Sequence, residues 1–427
     1  MKITQNHQIV QQRWPGLLDN LSRSNEKLEI QVLHHNNEKI LVINGIHLSS
    51  IYDRNKEAEL QASIVPFGKS CVFVYGVGLG DIPRVLLKRK ALTELVCVVL
   101  NPSIFYQVIM EFDCSDWLRD ERVRLLFANE DTQLQYPFAA QPACLKLADE
   151  VAYHLRDKIL LELSTPHIQQ KFSEKQAIYQ QQIEENIDNI KNDGDVASFF
   201  HSRPGQAALI VGAGPSLLDN YAWIRKNRDN YFMIAVSSAV IPLISENIIP
   251  DVVVVIEPQE DAILPVFDVD LTLLSKVPLV YFPVVSKRVL VLWKGARFTA
   301  YGQHKIYEKM TAQYPKGCLF AAGTVVHAAI DLAVKMSVGE IVLAGVDYAF
   351  SNELQHASGV RSRDILVPET GEYVVFNGYN EKIQSSPSLI GFLRDTEHYI
   401  TCHPDVKFYN MSRSGAEIKG TTYLDRA

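Results

Sequence analysis

A chain of 427 residues, 47% of them hydrophobic, is too long for one ordinary core and has apolar side chains enough to fill two. A net charge of −7 provides no broad cationic footprint, which argues against a nucleic-acid partner while leaving small nucleotides open as ligands. No run approaches the ~20 apolar residues of a membrane span, and Met1–His7 has no apolar stretch behind Lys2, so the expected location is cytoplasmic.

Taken in chain order, residues 28–34, 40–43, 71–75, 95–100 and 123–127 read as strands, with a basic amphipathic stretch over Ile82–Arg89. This alternation predicts βαβ units and a parallel sheet in a first domain, 1–150. The strand ending at Tyr75 runs into Gly76-Val77-Gly78-Leu79-Gly80, a loop of the kind that brings backbone close to a dinucleotide or a methyl donor. Such a site needs an acid after the next strand to hold ribose hydroxyls. Leu100-Asn101-Pro102 offers an amide instead, and the loop reads as scaffold or a degenerate site.

From Asp157 to Asp193 the chain turns polar, with Ile183, Ile187 and Ile190 at helical spacing. That predicts a helical connector, 151–204, closed by Asn192-Asp193-Gly194-Asp195 and by the Pro204-Gly205 turn. The six cysteines are scattered, without a CxxC pair, and read as core residues.

Over 205–427 the rhythm resumes. Strands are expected at 209–211, 232–236, 252–256, 277–282, 298–301 and 341–344, with helices from Ser216, over Ala239–Glu246 and over Thr324–Ser337. Buried strands between amphipathic helices predict a second doubly wound sheet, whose ligands sit at the carboxyl ends of the strands. The fold class expected is therefore α/β, with two Rossmann-like doubly wound domains joined by the helical connector.

Gly212-Ala213-Gly214-Pro215-Ser216 follows a buried strand and opens a helix, so its N–H groups and the positive end of the helix dipole are expected to face a phosphate. No lysine follows as in a Walker loop. Ser237 and Ser238 end the next strand. Glu257 ends the one after, where it would hold ribose hydroxyls or a metal, whereas Asp251 precedes that strand as a turn residue. Gly323 and Thr324 open a further helix. Asp347 and Tyr348 follow the strand 341–344, and His356 lies in the polar loop beyond, a position suited to a base over a bound donor.

The succession GAGPSL, PDVVVVIEP, GTVVHAAIDLA, AGVDYAF with a following histidine, and NMSRSGAEIKG resembles the motility accessory factor family. That family belongs to a wider group that includes 6-hydroxymethylpterin diphosphokinases. The resemblance implies transfer of a nonulosonic, sialic-acid-like sugar to Ser or Thr of flagellin in assembly of the bacterial flagellum. The core is also similar to bacterial CMP-sialic acid transferases. On that likeness Gly212, Gly214, Pro215 and Ser216 would hold the CMP phosphate, Gly323 and Thr324 would border the donor, Asp347 would orient the site, and His356 would be the base, with His327 next in line. Tyr348 would assist the departing CMP. The implied partners are a CMP-activated nonulosonic acid and flagellin, and a cofactor is not required. The transferases carry an asparagine where this chain has Ser237-Ser238. Two alternatives remain: a diphosphokinase using ATP and Mg²⁺ held by Asp251, Glu257 or Asp347, and a non-catalytic flagellin-binding accessory protein.

Overall fold

Short β-branched runs separated by amphipathic helices fold as parallel strands with both faces covered. The computed structural model describes residues 5–17, 28–35, 38–350 and 373–424. It divides into two compact units, Met1–Thr165 and Pro166–Ala427.

In the first unit β1 (Ile30–His35), β2 (Glu38–Ile43) and β3 (Ile46–His47) form an antiparallel sheet. The expectation that the first two strands belong to the parallel sheet is thereby corrected. Only two residues separate them, and a parallel pair needs a crossover of a dozen or more. β4 (Cys71–Tyr75), β5 (Glu94–Val99), β6 (Val123–Phe127) and β7 (Phe138–Ala140) form a parallel sheet in the order β6-β5-β4-β7.

The glycine loop after β4 is filled by its own unit. A Cβ on Gly76 would collide with Cys144, one on Gly80 with the Trp117 indole, and one on Gly78 would press Gln141 at 3.2 Å. Asn101 serves as a helix cap. Its Oδ1 accepts the Ile104 N–H at 3.2 Å and its amide donates to the Leu147 carbonyl at 3.0 Å.

The helix Tyr153–Glu185 crosses the boundary between the units and is followed by a short helix, Ile187–Asn192. The second unit carries β8 (Gly194–Asp195), β9 (Ala207–Val211), β10 (Phe232–Val236), β11 (Val252–Val255), β12 (Leu279–Tyr281), β13 (Arg297–Thr299) and β14 (Glu340–Ala344). A small antiparallel pair follows, β15 (Val374–Phe376) with β16 (Lys382–Gln384), then β17 (Lys407–Asn410) and β18 (Thr422–Tyr423). Nine of these make one parallel sheet in the order β18-β17-β14-β9-β10-β11-β12-β13-β8.

From β9 the chain adds β10 to β13 on one side, then places β14, β17 and β18 on the other. The order reverses between β9 and β14, and the carboxyl ends of that pair frame the crevice where such sheets take ligands. The central strands are fully buried, including Ile210, Ile234, Val254 and Val280. Among the described residues no helix is long and apolar enough to cross a membrane.

Candidate functional site

At the reversal the loops after β9 and β14 cross at backbone contact. Gly212 N–H donates to Ala344 O and Gly214 N–H to Gly345 O, both at 2.8 Å. A Cβ on Gly212 would strike the Gly345 carbonyl, and one on Gly214 would lie 2.6 Å from the Asp347 carboxylate. These glycines are required by the crossing itself.

Ser216 completes the knot. Its N–H donates to Asp347 Oδ2 at 2.8 Å, its hydroxyl donates to Oδ1 at 2.5 Å, and Ser412 Oγ lies 2.6 Å from the same hydroxyl. Ser216, Asp347 and Ser412 are all buried. Burial pushes the Asp347 carboxyl above its usual range, against the lowering effect of the bonds from Ser216 and Ser412.

Of the expected phosphate cradle, the N–H groups of Gly212, Gly214 and Ser216 are engaged within the chain. The Ser216 N–H is held by the chain's own carboxylate, and the N–H groups of Gly212, Gly214 and Leu217 go to carbonyls of the chain. Pro215 is buried and opens only a six-residue 3₁₀ segment, Pro215–Asn220, so the amphipathic helix expected from Ser216 begins at Tyr221. Asp347, expected to orient the site, holds the two loops together.

The longer helix Val325–Lys335 does open toward the crevice. Thr324 caps it, with Oγ1 accepting the Val326 N–H at 3.4 Å, and Gly323 precedes it at φ +81°. A Cβ on Gly323 would press Phe392 at 2.8 Å. A buried polar seam joins this helix to Pro387–Thr401. His327 Nε2 lies 3.0 Å from Thr396 Oγ1 and 3.1 Å from the Phe392 carbonyl, while the Tyr399 hydroxyl donates to Asp331 Oδ1 at 2.6 Å. Asp331 Oδ2 also accepts the Phe320 N–H at 2.8 Å.

His327, the second candidate for a base, is 1% exposed and stacks on Phe320. Burial pushes its pKa down to about 4, so near neutral pH it stays uncharged inside the wall. Tyr348, expected to assist the departing CMP, adopts a left-handed backbone, φ +48°, and its buried hydroxyl meets Thr396 Oγ1 at 2.7 Å. Burial raises the phenol pKa.

A cleft of about 900 Å³ runs along the carboxyl ends of these strands. It gathers Gly214, Ser237, Ser238, Glu257, Gly323, Thr324, Asp347 and Tyr348 along its wall. Gly212, Pro215 and Ser216 lie behind it, and His356 falls outside the described residues. Glu257 is half-buried, with Oε1 accepting the Gln259 N–H at 2.8 Å. Asp251 sits at the amino end of β11. It accepts the Met233 N–H at 2.7 Å and pairs with Arg228 at 3.0 Å, bordering a different depression with Phe298 and Met336.

Sequence reasoning missed Gln303 and His304, which follow β13 and line the same cleft, and the aromatic wall of Tyr179, Phe282, Tyr307 and Phe392. Position past a strand end was the available signal for the first two. Among the described residues no three His, Cys, Asp or Glu side chains gather as a metal-binding group.

Fold and cleft together define an α/β protein of Rossmann-like build with a ligand cleft at a topological switch point. Residues 181–353 match the family model described as 6-hydroxymethylpterin diphosphokinase MptE-like, and the likeness to that group read from the motifs is shown over this stretch. The structure is similar to that of the MAf glycosyltransferase from Magnetospirillum magneticum AMB-1. The match has 15% identity, covers 98% of this chain and 74% of that one, and has a TM-score of 0.45. A spermidine synthase from Thermotoga maritima is similar over 29% of this chain and 48% of its own, at 14% identity and a TM-score of 0.25. No curated protein matches the sequence.

Proposed function

We propose that the chain is a glycosyltransferase that moves a nonulosonic sugar from a CMP donor to Ser or Thr of flagellin, in support of flagellar assembly and motility. The observation that carries this reading is the cleft, which lies at the strand-order reversal and receives the amino end of the helix Val325–Lys335. With the N–H groups of Gly212, Gly214 and Ser216 engaged inside the chain, that helix end, at Gly323 and Thr324, is the place for the donor phosphate. The mechanism is a single displacement. The acceptor hydroxyl attacks the anomeric carbon, its proton passes to a base, the role proposed for His356, and the CMP phosphate departs against the helix dipole. A phosphate leaving group needs no metal for this step.

The family match over 181–353 favours a second reading, ATP-dependent diphosphoryl transfer. That chemistry would place Mg²⁺ among Asp251, Glu257 and Asp347. Asp251 is at the amino end of β11, away from the cleft, and Asp347 is bonded to Ser216, which leaves Glu257 facing the cleft. The three carboxylates do not fit one metal site.

Calorimetry with CMP and ATP separates the readings. CMP is expected to bind more tightly, and equal or tighter binding of ATP overturns the transferase reading. Intact-mass analysis of flagellin from cells with and without the gene tests the acceptor. An unchanged glycan mass would leave the binding-protein alternative.

A further inference from the structure

Away from the cleft, the first unit exposes apolar side chains beside unpaired cations. Leu60 and Ile64 stand one turn apart at the end of the helix Arg54–Ser63, and Phe67 follows them. Leu60 is 72% exposed, Ile64 57% and Phe67 87%. A single exposed apolar residue is ordinary, whereas neighbouring ones form a patch that is costly to keep in water.

Arg89 ties a basic segment to this patch. Its guanidinium donates to the Ala62 carbonyl at 2.7 Å and to the Val65 carbonyl at 2.9 Å, and it lies 4.7 Å from the centre of the Phe67 ring. Further along, the Thr93 and Glu94 N–H groups donate to the Ser70 carbonyl at 2.8 and 2.9 Å. The stretches 62–70 and 89–94 are thus fastened together at both ends. Lys69 adjoins Ser70, and Lys88 and Lys90 flank Arg89, so all three lysines border the patch, and all three are exposed. Among the described residues none of them has an acidic partner. Acids of the surrounding segments are taken, Asp53 by Lys56, Asp120 by Arg122 and Glu94 by Arg124, while Glu59 stays exposed beside Leu60.

Exposures as high as those of Leu60 and Phe67 belong to side chains that project, not to the walls of a groove. A protein partner would need a concavity shaped to receive them. A lipid–water interface accepts projecting apolar groups of any outline, and its anionic headgroups complement the lysines. We propose that Leu60, Ile64, Phe67, Lys69, Lys88 and Lys90 form a surface that docks the protein on an anionic lipid layer, the apolar tips at headgroup level and the lysines against the phosphates. Arg89, committed to carbonyls, positions Phe67. This surface belongs to the first unit and is independent of what the cleft binds.

The test is co-sedimentation of the full chain with vesicles of phosphatidylcholine, alone or mixed with an equal part of phosphatidylglycerol. The wild type is expected to bind the anionic vesicles and to release them as salt is raised. Each lysine at such a surface contributes about 5-fold in affinity, so Lys69→Gln, Lys88→Gln and Lys90→Gln combined should weaken binding about 100-fold. Phe67→Ser should weaken it about 10-fold through the lost apolar contact. Both variants alter exposed positions only and are expected to keep the circular dichroism of the wild type. A wild type that ignores anionic vesicles, or binds neutral ones equally well, overturns the proposal. So does unchanged affinity in either folded variant. Dimerisation in gel filtration that Phe67→Ser abolishes, without vesicle binding, assigns the patch to a second copy and overturns the lipid reading. Binding to polyglutamate that the lysine variant abolishes, again without vesicle binding, assigns it to an acidic peptide and overturns that reading as well.

Discussion

Replacing Gly214 by alanine tests whether the glycine loop serves the chain or a ligand. The backbone there, φ −65° and ψ 157°, suits any residue, so the cost of a methyl group is steric. That methyl would stand 2.6 Å from the Asp347 Cγ and Oδ2 and 2.8 Å from the Gly345 carbonyl. The carboxylate cannot swing aside without giving up its bonds from the Ser216 N–H and hydroxyl. Overpacking costs about 1–3 kcal/mol, and the pinned neighbour places this site at about 3 kcal/mol. For a unit of this size each kcal/mol lowers Tm by roughly 2–4 °C, so a fall of about 6–12 °C is expected. Thermal unfolding by circular dichroism, with CMP binding measured on the folded protein, provides the assay. Combining the change with Asp347→Ala should be non-additive by about 1 kcal/mol, because the second change removes the nearest obstacle. An unchanged Tm with abolished nucleotide binding would refute the reasoning, since the glycine would then be making room for a ligand.

Burial depresses the pKa of His327 from its ordinary 6.5 to about 4. The unfolded chain therefore takes up a proton that the folded chain refuses, and the stability contributed by the neutral ring is lost as pH falls through that window. The loss should be up to about 3 kcal/mol between pH 7 and pH 4. His327→Gln should flatten that slope in urea titrations, and an equal slope in both proteins would refute the burial argument. In the first unit the loop Gly76–Gly80 is occupied by Cys144, Gln141 and Trp117, so calorimetry should detect no saturable binding of S-adenosylmethionine. Micromolar binding would show that the loop opens.

The α/β class and the strands β9 to β14 were legible because buried parallel strands are written as uninterrupted apolar runs such as Val252–Val255, flanked by helices with one apolar face. The helix at Thr324 was legible from its cap and spacing. The partner of the Gly212–Ser216 loop was not. Nothing local in a sequence says that an aspartate more than a hundred residues away will take a helix-end N–H, and a glycine needed for a chain crossing looks the same as one needed for a phosphate. The helix Pro387–Thr401 left a readable signal, a Ser386-Pro387 start with Ile390, Leu393 and Ile400 along one buried side, but without it the polar seam to His327 stayed hidden. Gln303 and His304 follow from the carboxyl-end rule once it is applied to every strand and not only to those with glycine-rich exits.

The bond between Ser216 and Ser412 joins positions 196 residues apart. At a synthesis rate of about 5–20 residues per second, roughly 10–40 s pass between the emergence of the first partner and that of the second. For about the first two thirds of that interval β9 has an unpaired edge, because β14, its neighbour on that side, follows more than a hundred residues later. A nascent chain in this state presents the kind of exposed strand edge that chaperones shield and that otherwise aggregates.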